Sequence, residues 1–271
     1  MKKIAYLGPE NSYSFLAAKR IMKTDDMLLP YPNFLEVLDR VQNNLCDCAV
    51  VPVENSIEGA VNEVTDGLIF NRNLYINVEF SIPIDNFLIA QAQADFKKIH
   101  TIYTHWQPYG QCRNSLKTQF PNATIVFKES TSAAVTCIQN PFCAAIGGEH
   151  LCTMGLQLSD SSLNDTQSNR TRFVVVSKKN QPDITHDKFS LAFEVQNRPG
   201  ALLEFLQVLN YQNLNMTHIE SRPHKSELGR YIFIVDVLGN VLNTKVAYAL
   251  KQIKNMTQFY KFLGSYTKEK L

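Results

Sequence analysis

Short apolar runs alternate with amphipathic stretches through the first two thirds of the chain. Residues 3–7, Lys-Ile-Ala-Tyr-Leu, read as a strand ended by Gly8-Pro9, and Asn11 or Ser12 can cap a helix reaching about Met22. Phe34, Leu35, Val37, Leu38, Val41 and Leu45 recur at helical spacing and predict an amphipathic helix over about 33–44. Residues 48–53 read as a buried strand and 61–70 as a helix. Residues 74–80 and 82–90 are strand-like, the second carrying Pro83. The rhythm then restarts: strand 100–104, helix 107–119, strand 123–128, helix 130–139, strand 143–146 and a short helix over 147–154. After a polar stretch, Asn169-Arg-Thr-Arg-Phe173 runs into Val174, Val175 and Val176, a run of the kind buried on both faces of a sheet.

Strands alternating with helices imply right-handed crossovers and a mostly parallel sheet. The restart implies two α/β lobes, lobe 1 over about 1–78 plus 170–178 and lobe 2 over about 79–169, with the chain crossing near 75–85 and returning near 170–178. Two crossing strands make a hinge, and a cleft between hinged lobes is a common ligand site. Residues 179–187 form a linker by composition. Beyond it, strand, helix, strand, strand, helix, strand over 188–271 is the ferredoxin-like βαββαβ plan, with Leu202, Leu206 and Leu209 marking one helix and Val246, Leu250 and Ile253 the other.

A net charge of +2 with no block of like charges argues against a nucleic-acid surface, and no apolar run is long enough for a membrane span or a secretory signal. None of the six cysteines forms C-x-x-C, so they read as buried free thiols of a cytoplasmic protein, and no metal site is expected. Phosphate-loop, dinucleotide, zinc-peptidase and nucleophile-elbow motifs are absent.

Candidate chemistry gathers where strands meet helices. Glu54, Asn55 and Ser56 follow a buried strand: the amide and hydroxyl can donate to a carboxylate, and Glu54 could handle a proton, although such residues also suit a turn. Thr104 ends another strand, with Gln111 within the next helix. Ser130, Thr131 and Ser132 open a helix, either as caps or as an anion site. Asn169, Arg170, Thr171 and Arg172 set two guanidinium groups beside neutral donors at a strand end, where open α/β sheets place ligands. Together these four junctions suggest a donor-rich cleft for a carboxylated metabolite, with a guanidinium converging on it.

Several motifs, in order, resemble those of the monofunctional prephenate dehydratases over nearly the whole chain. Residues 8–14, Gly-Pro-Glu-Asn-Ser-Tyr-Ser, are similar to the family's opening segment, Val51-Pro-Val-Glu-Asn-Ser-Ile-Glu-Gly59 to its most recognisable motif, and Thr171-Arg-Phe173 to its signature tripeptide. Asn197-Arg-Pro-Gly-Ala-Leu202 and Ile219-Glu-Ser-Arg-Pro223 resemble the two motifs of the regulatory ACT domain. Asn11 and Ser12 depart from the usual Gly and Thr, Trp106 from a Pro, and Asp85-Asn86 from a segment often containing His. The resemblance implies a two-lobed, periplasmic-binding-protein-like catalytic region joined to an ACT domain. It also implies conversion of prephenate to phenylpyruvate, water and carbon dioxide without metal or organic cofactor. Thr171 is then the donor to the leaving hydroxyl, and Arg172 organises the strand end or pairs with the retained carboxylate. Asn55, Ser56, Thr104 and Gln111 position the substrate, Glu54 carries a proton or orients, and Ser130, Thr131, Ser132 and Phe173 contact substrate. L-phenylalanine is expected at Asn197, Pro199, Gly200, Ala201 and Leu202, with Glu220, Ser221, Arg222 and Pro223 on the partner side of a pocket between paired ACT domains. A dimer or tetramer follows from that pairing. With a first strand beginning at Lys3, no chorismate mutase domain is expected ahead of it. Arogenate dehydratase and a non-catalytic amino-acid sensor are the alternatives.

Overall fold

The apolar run near the N-terminus forms β1 (Lys3–Leu7), with Ile4, Ala5 and Tyr6 buried, in a computed structural model that describes residues 1–70, 73–224 and 229–268. The last residues assigned to the C-terminal unit, 269–271, lie outside those described. Ser12 Oγ accepts from the Phe15 amide at 3.1 Å and starts α1 (Tyr13–Ile21). β2 (Met27–Tyr31), α2 (Phe34–Gln42), β3 (Cys48–Asn55), β4 (Gly59–Ala60), α3 (Asn62–Ile69) and β5 (Tyr75–Pro83) complete the first passage.

The chain then builds a second sheet from β6 (Phe87–Gln91), β7 (Thr101–Thr104), β8 (Thr124–Phe127), β9 (Cys143–Gly147) and β10 (Leu156–Leu158). Their order is β10-β6-β9-β7-β8, with α4 (Trp106–Gln111), α5 (Arg113–Gln119) and α6 (Thr131–Val135) between strands. β11 (Arg170–Ser177) returns to the first sheet and lies antiparallel between β5 and β3. The outgoing and returning connections touch where the Ile84 amide donates to the Asn169 carbonyl at 2.9 Å.

The C-terminal unit comprises β12 (Lys188–Glu194), α7 (Ala201–Tyr211), β13 (Met216–Pro223), β14 (Tyr231–Leu238), α8 (Thr244–Met256) and β15 (Phe259–Lys268). It is not a separate bead. β15 pairs in parallel with β5, so one sheet runs β13-β14-β12-β15-β5-β11-β3-β1-β2, with β4 beside β3. Ala192, Ile232, Ile234, Leu263 and Tyr266 of this unit share a core with Leu68, Ile76 and Val174. Asn180 fastens the connecting segment, donating to the Ile76 and Ser265 carbonyls at 3.0 Å each.

Several elements differ from expectation for identifiable reasons. β2 was not foreseen because it contains Pro30; it lies at the sheet edge, where a residue without an N–H is tolerated. The helix expected over 107–119 divides at Cys112, because the Asp165 carboxylate accepts from the Asn114 and Ser115 amides and opens a new N-terminus. The helix expected over 130–139 ends at Val135, and Thr136 turns its hydroxyl back to the Ala133 carbonyl. Pro83 closes β5 rather than lying within the following strand. Residues 149–151 form one 3-10 turn in place of a longer helix.

Candidate active site

In the antiparallel register of β3 and β11, Thr171 faces Asn55 and Arg172 faces Glu54. The Asn55 side chain is held from below, its Oδ1 accepting from the Ile57 and Glu58 amides at 2.9 and 3.0 Å. That fixes Nδ2 as a donor toward Asn169 Oδ1 at 2.9 Å and Thr171 Oγ1 at 3.0 Å. Asn169 Nδ2 in turn donates to Gln111 Oε1 at 2.9 Å, which also accepts from Asn86 Nδ2 at 3.0 Å. Gln111 Nε2 donates to Glu58 Oε1, and Gln107 Nε2 donates to Glu58 Oε2, both at 2.9 Å. Donation thus spreads outward from the Asn55 amide, one branch ending on the Thr171 hydroxyl and the other passing through Asn169 and Gln111 to Glu58.

This network borders a cleft of about 530 Å³ between the two sheets. Asn55, Gln111, Ser130, Thr131, Ser132, Thr171 and Phe173 all line it. So do Ser12, Tyr13, Glu58, Asn86, His105 and His150, which had not been assigned as site residues. Among the described lining residues there is no lysine or arginine. Two carboxylates, Glu58 and Glu129, line the cleft, and the starts of α1, α4 and α6, capped by Ser12, His105 and Ser130, lie at its wall. Burial lowers the His150 pKa from its ordinary value, which favours the neutral ring. Tyr13 packs edge-on against that ring and donates to the Asp85 carbonyl at 2.7 Å. Gly148 admits both groups, since a Cβ there would sit 2.4 Å from His150 Cε1 and 2.7 Å from the Tyr13 hydroxyl.

Other residues assigned from the sequence lie elsewhere. Thr104 is fully buried beside the cleft, its hydroxyl donating to the His105 carbonyl at 3.1 Å. Ser56 accepts from the Arg170 amide at 3.0 Å and donates to the Ser168 carbonyl at 3.2 Å, joining two chain segments. The expectation of a guanidinium in the cleft is corrected. Thr171, Phe173 and Arg172 alternate along β11, so Arg172 leaves on the opposite face, toward the C-terminal unit. Its guanidinium meets Glu54 Oε2 at 3.2 Å, Glu79 Oε2 at 3.4 Å and Asp236 Oδ2 at 2.6 Å. Glu54 therefore lies in an ionic cluster behind the sheet, where it orients Arg172 and has no path to a proton in the cleft. Period-two alternation was the available signal for both.

In the C-terminal unit, Asn197, Pro199 and Gly200 form an exposed loop before α7, with Ala201 buried and Leu202 half-buried at its start. Along β13, Glu220 and Arg222 face lobe 1, and Ser221 and Pro223 are exposed on the other side. Arg222 Nε reaches Asp66 Oδ1 at 3.1 Å and its NH1 reaches Asn62 Oδ1 at 2.7 Å, both on α3.

The sequence model described as prephenate dehydratase matches residues 4–181, and the ACT domain model matches residues 189–255. A prephenate dehydratase of Lactococcus lactis subsp. cremoris is 35% identical, the match covering 98% of this chain and 97% of that protein. A bifunctional chorismate mutase/prephenate dehydratase of Escherichia coli K12 is also 35% identical, with 98% of this chain matching 71% of it. Among solved structures, the prephenate dehydratase from Arthrobacter aurescens in complex with L-Phe superposes with a TM-score of 0.87 at 30% identity, covering 98% of this chain and 90% of that one. The cleft, its amide chain and the appended βαββαβ unit thus belong to a member of the prephenate dehydratase family carrying an ACT domain.

Proposed function

We propose that the chain converts prephenate to phenylpyruvate, water and carbon dioxide, and that L-phenylalanine regulates it through the ACT domain. The observation that carries this reading is the Thr171 hydroxyl, which accepts from Asn55 and so keeps its own proton for a ligand in the cleft. Prephenate carries two carboxylates and a ring hydroxyl. Loss of one carboxylate as carbon dioxide supplies the electron pair that makes the ring aromatic as the C–O bond breaks; the departing hydroxide takes up one proton from solvent and leaves as water. Aromatisation drives the reaction, and the barrier lies in expelling hydroxide. Thr171 donates to that oxygen as charge develops on it. A threonine hydroxyl holds its proton too tightly to act as an acid, so the contribution is electrostatic.

The lack of a lysine or arginine among the described lining residues suits the same step. A cation against the departing carboxylate would hold the ground state more tightly than the transition state and slow the reaction. Hydroxyls of Ser130, Thr131 and Ser132 and the helix starts around them can bind the dianion without that penalty. Asn55 and Gln111 hold the donor array, and Phe173, stacked on Phe80, shields its floor.

For the effector, Asn197, Pro199, Gly200, Ala201 and Leu202 surround the start of α7, and Ser221 and Pro223 lie on the exposed side of β13. β13 is the last strand of its sheet, and Ile219 on it is exposed, which supports pairing with a second copy. No described helix is long and apolar enough to cross a membrane. Buried free thiols, with the Cys48 thiol pushed up to about 11 and that of Cys112 to about 12 by burial, suit a reducing cytoplasm.

Incubation with prephenate, followed by ultraviolet detection of phenylpyruvate, tests the reading. We expect phenylpyruvate formation that slows as L-phenylalanine is added. Absence of product would overturn the enzyme reading, faster turnover of arogenate would reassign the substrate, and a rate indifferent to saturating L-phenylalanine would remove the regulation.

A further inference from the structure

Arg172 is the residue next to Thr171, yet all its ionic contacts lie outside the cleft. Its three guanidinium nitrogens each meet a carboxylate from a different strand: Glu54 on β3, Glu79 on β5 and Asp236 on β14. Lys188 on β12 closes the cluster, with Nζ 2.7 Å from Glu79 Oε2 and 3.4 Å from Asp236 Oδ2. Asp236 is oriented from its other side, where its Oδ1 accepts from Ser190 Oγ at 2.5 Å, and Ser190 is 2.6 Å from the Tyr266 hydroxyl. Two cations and three carboxylates thus form one ionic cluster between the catalytic strand and the C-terminal unit, in which Arg172 Nε and Asp236 Oδ2 are held by charge and not by a directional hydrogen bond. Buried charges of this kind cost desolvation, add little net stability, and respond strongly when one member moves or is lost.

β11 pairs in register with β5 over 170–175, but its pairing with β3 is interrupted beside the cluster. The β3–β11 register shifts between Arg172 and Phe173, opposite Pro52 and Glu54. Pro52 has no N–H to give the ladder. The strand end carrying Thr171 and Asn55 therefore lies beyond a bulge on its β3 side, where the Arg172 side chain adds a tie to those of the two ladders. On the far side, β14 pairs with β13 so that Asp236 stands opposite His218, two and four residues before Glu220 and Arg222. Arg222 itself grips α3. A change in β13 is therefore one strand away from Asp236, and Asp236 is one ion pair away from the neighbour of Thr171.

We propose that Asp236 is a positioning residue for the dehydratase reaction, acting through Arg172 on the β11 end that presents Thr171, and that a shift of β13–β14 on effector binding reaches the cleft by this contact. The catalytic strand is thereby held from the regulatory unit, so two arrangements of that unit correspond to two placements of the hydroxyl. The inference rests on the proposed function.

The test compares wild type, Asp236→Asn, Ser190→Ala, Arg172→Gln and the double variant Arg172→Gln/Asp236→Asn. Steady-state turnover of prephenate, L-phenylalanine binding by calorimetry and amide hydrogen exchange over residues 170–173 are measured on each. For Asp236→Asn we expect kcat to fall roughly 2- to 30-fold, the span carried by packed coupling networks, with KM changed less than about twofold. L-phenylalanine should still bind and inhibit less, and residues 170–173 should exchange faster. Ser190→Ala keeps every charge and should show the same changes at smaller size, which decides the matter if Asp236→Asn does not fold. The double variant should be no slower than Arg172→Gln alone. Wild-type kcat, inhibition and exchange in a folded Asp236→Asn or in Ser190→Ala would overturn the proposal, as would effects of Asp236→Asn and Arg172→Gln that add in full. An inactive wild type would instead overturn the dehydratase reading, leaving exchange over 170–173 to judge the mechanical link.

Discussion

Thr171 Oγ1 lies 3.0 Å from Asn55 Nδ2 and accepts its hydrogen bond, so the direction of the threonine's own proton is set by an amide whose oxygen is already committed to two backbone donors. Asn55→Asp puts an acceptor where that donor stood, and the Thr171 proton then turns toward it. We expect a loss in kcat of ~10²–10³, the size seen when one transition-state donor is removed. Steady-state kinetics with prephenate checks this; near-normal kcat would show that the amide does not orient the hydroxyl.

Glu58 accepts from Gln107 and Gln111 and ties the lobes together at the cleft. Glu58→Ala removes both charge-assisted bonds and frees Gln111 at one end. Because Glu58 is exposed, we expect an increase in KM of about 3- to 10-fold, below the full value of two such bonds, with a smaller change in kcat. An effect confined to kcat would place Glu58 in the chemistry instead.

His218 has a raised pKa, chiefly through the Glu220 carboxylate 3.8 Å from its Nε2, with burial opposing and Asp236 and Glu54 adding to the rise against Arg172. A group whose folded pKa is raised contributes stability that is fully present below its unfolded value and is lost as pH rises through the folded value. The wild type should therefore melt above His218→Gln on the acid side of the ordinary histidine range, with the gap closing as pH rises past the raised value. Melting curves across that window check the sign; a gap that widens with pH would contradict the assignment.

Gly264 has φ +138, and a Cβ on it would meet the Ile76 carbonyl oxygen at 2.2 Å, where β15 runs against β5. Gly264→Ala must push apart the seam that makes one sheet of the two units. We expect a loss of about 1–3 kcal/mol or more, read as a lower denaturation midpoint. An unchanged midpoint would mean the seam tolerates separation.

Much of this was legible in the chain. Apolar runs mark β1, β3, β9 and β11, and the strand ends bearing Asn55 and Thr171 stand out in the sequence as hydrogen-bonding groups. What escaped was direction and distance. Arg172 follows Thr171 and therefore faces the other way, a consequence of strand pleating that outweighs the attraction of a guanidinium for an anionic ligand. Asn86, Tyr13 and His150 were not identified because isolated polar residues carry no periodic signal, and only the meeting of the two lobes brings them to one wall. The Arg172, Glu79, Lys188 and Asp236 cluster joins four strands spread from β5 to β14, and no local pattern marks such a group. Pro30 hid β2 by suppressing a strand reading that an edge position permits.

Turnover of prephenate by Thr171→Ala, measured beside Thr171→Ser, tests most directly whether the Thr171 hydroxyl carries the step. We expect Thr171→Ala to raise the barrier by ~2.7–4 kcal/mol, seen in kcat with little change in KM, and Thr171→Ser to retain much of the rate. Wild-type turnover in a folded Thr171→Ala would contradict it.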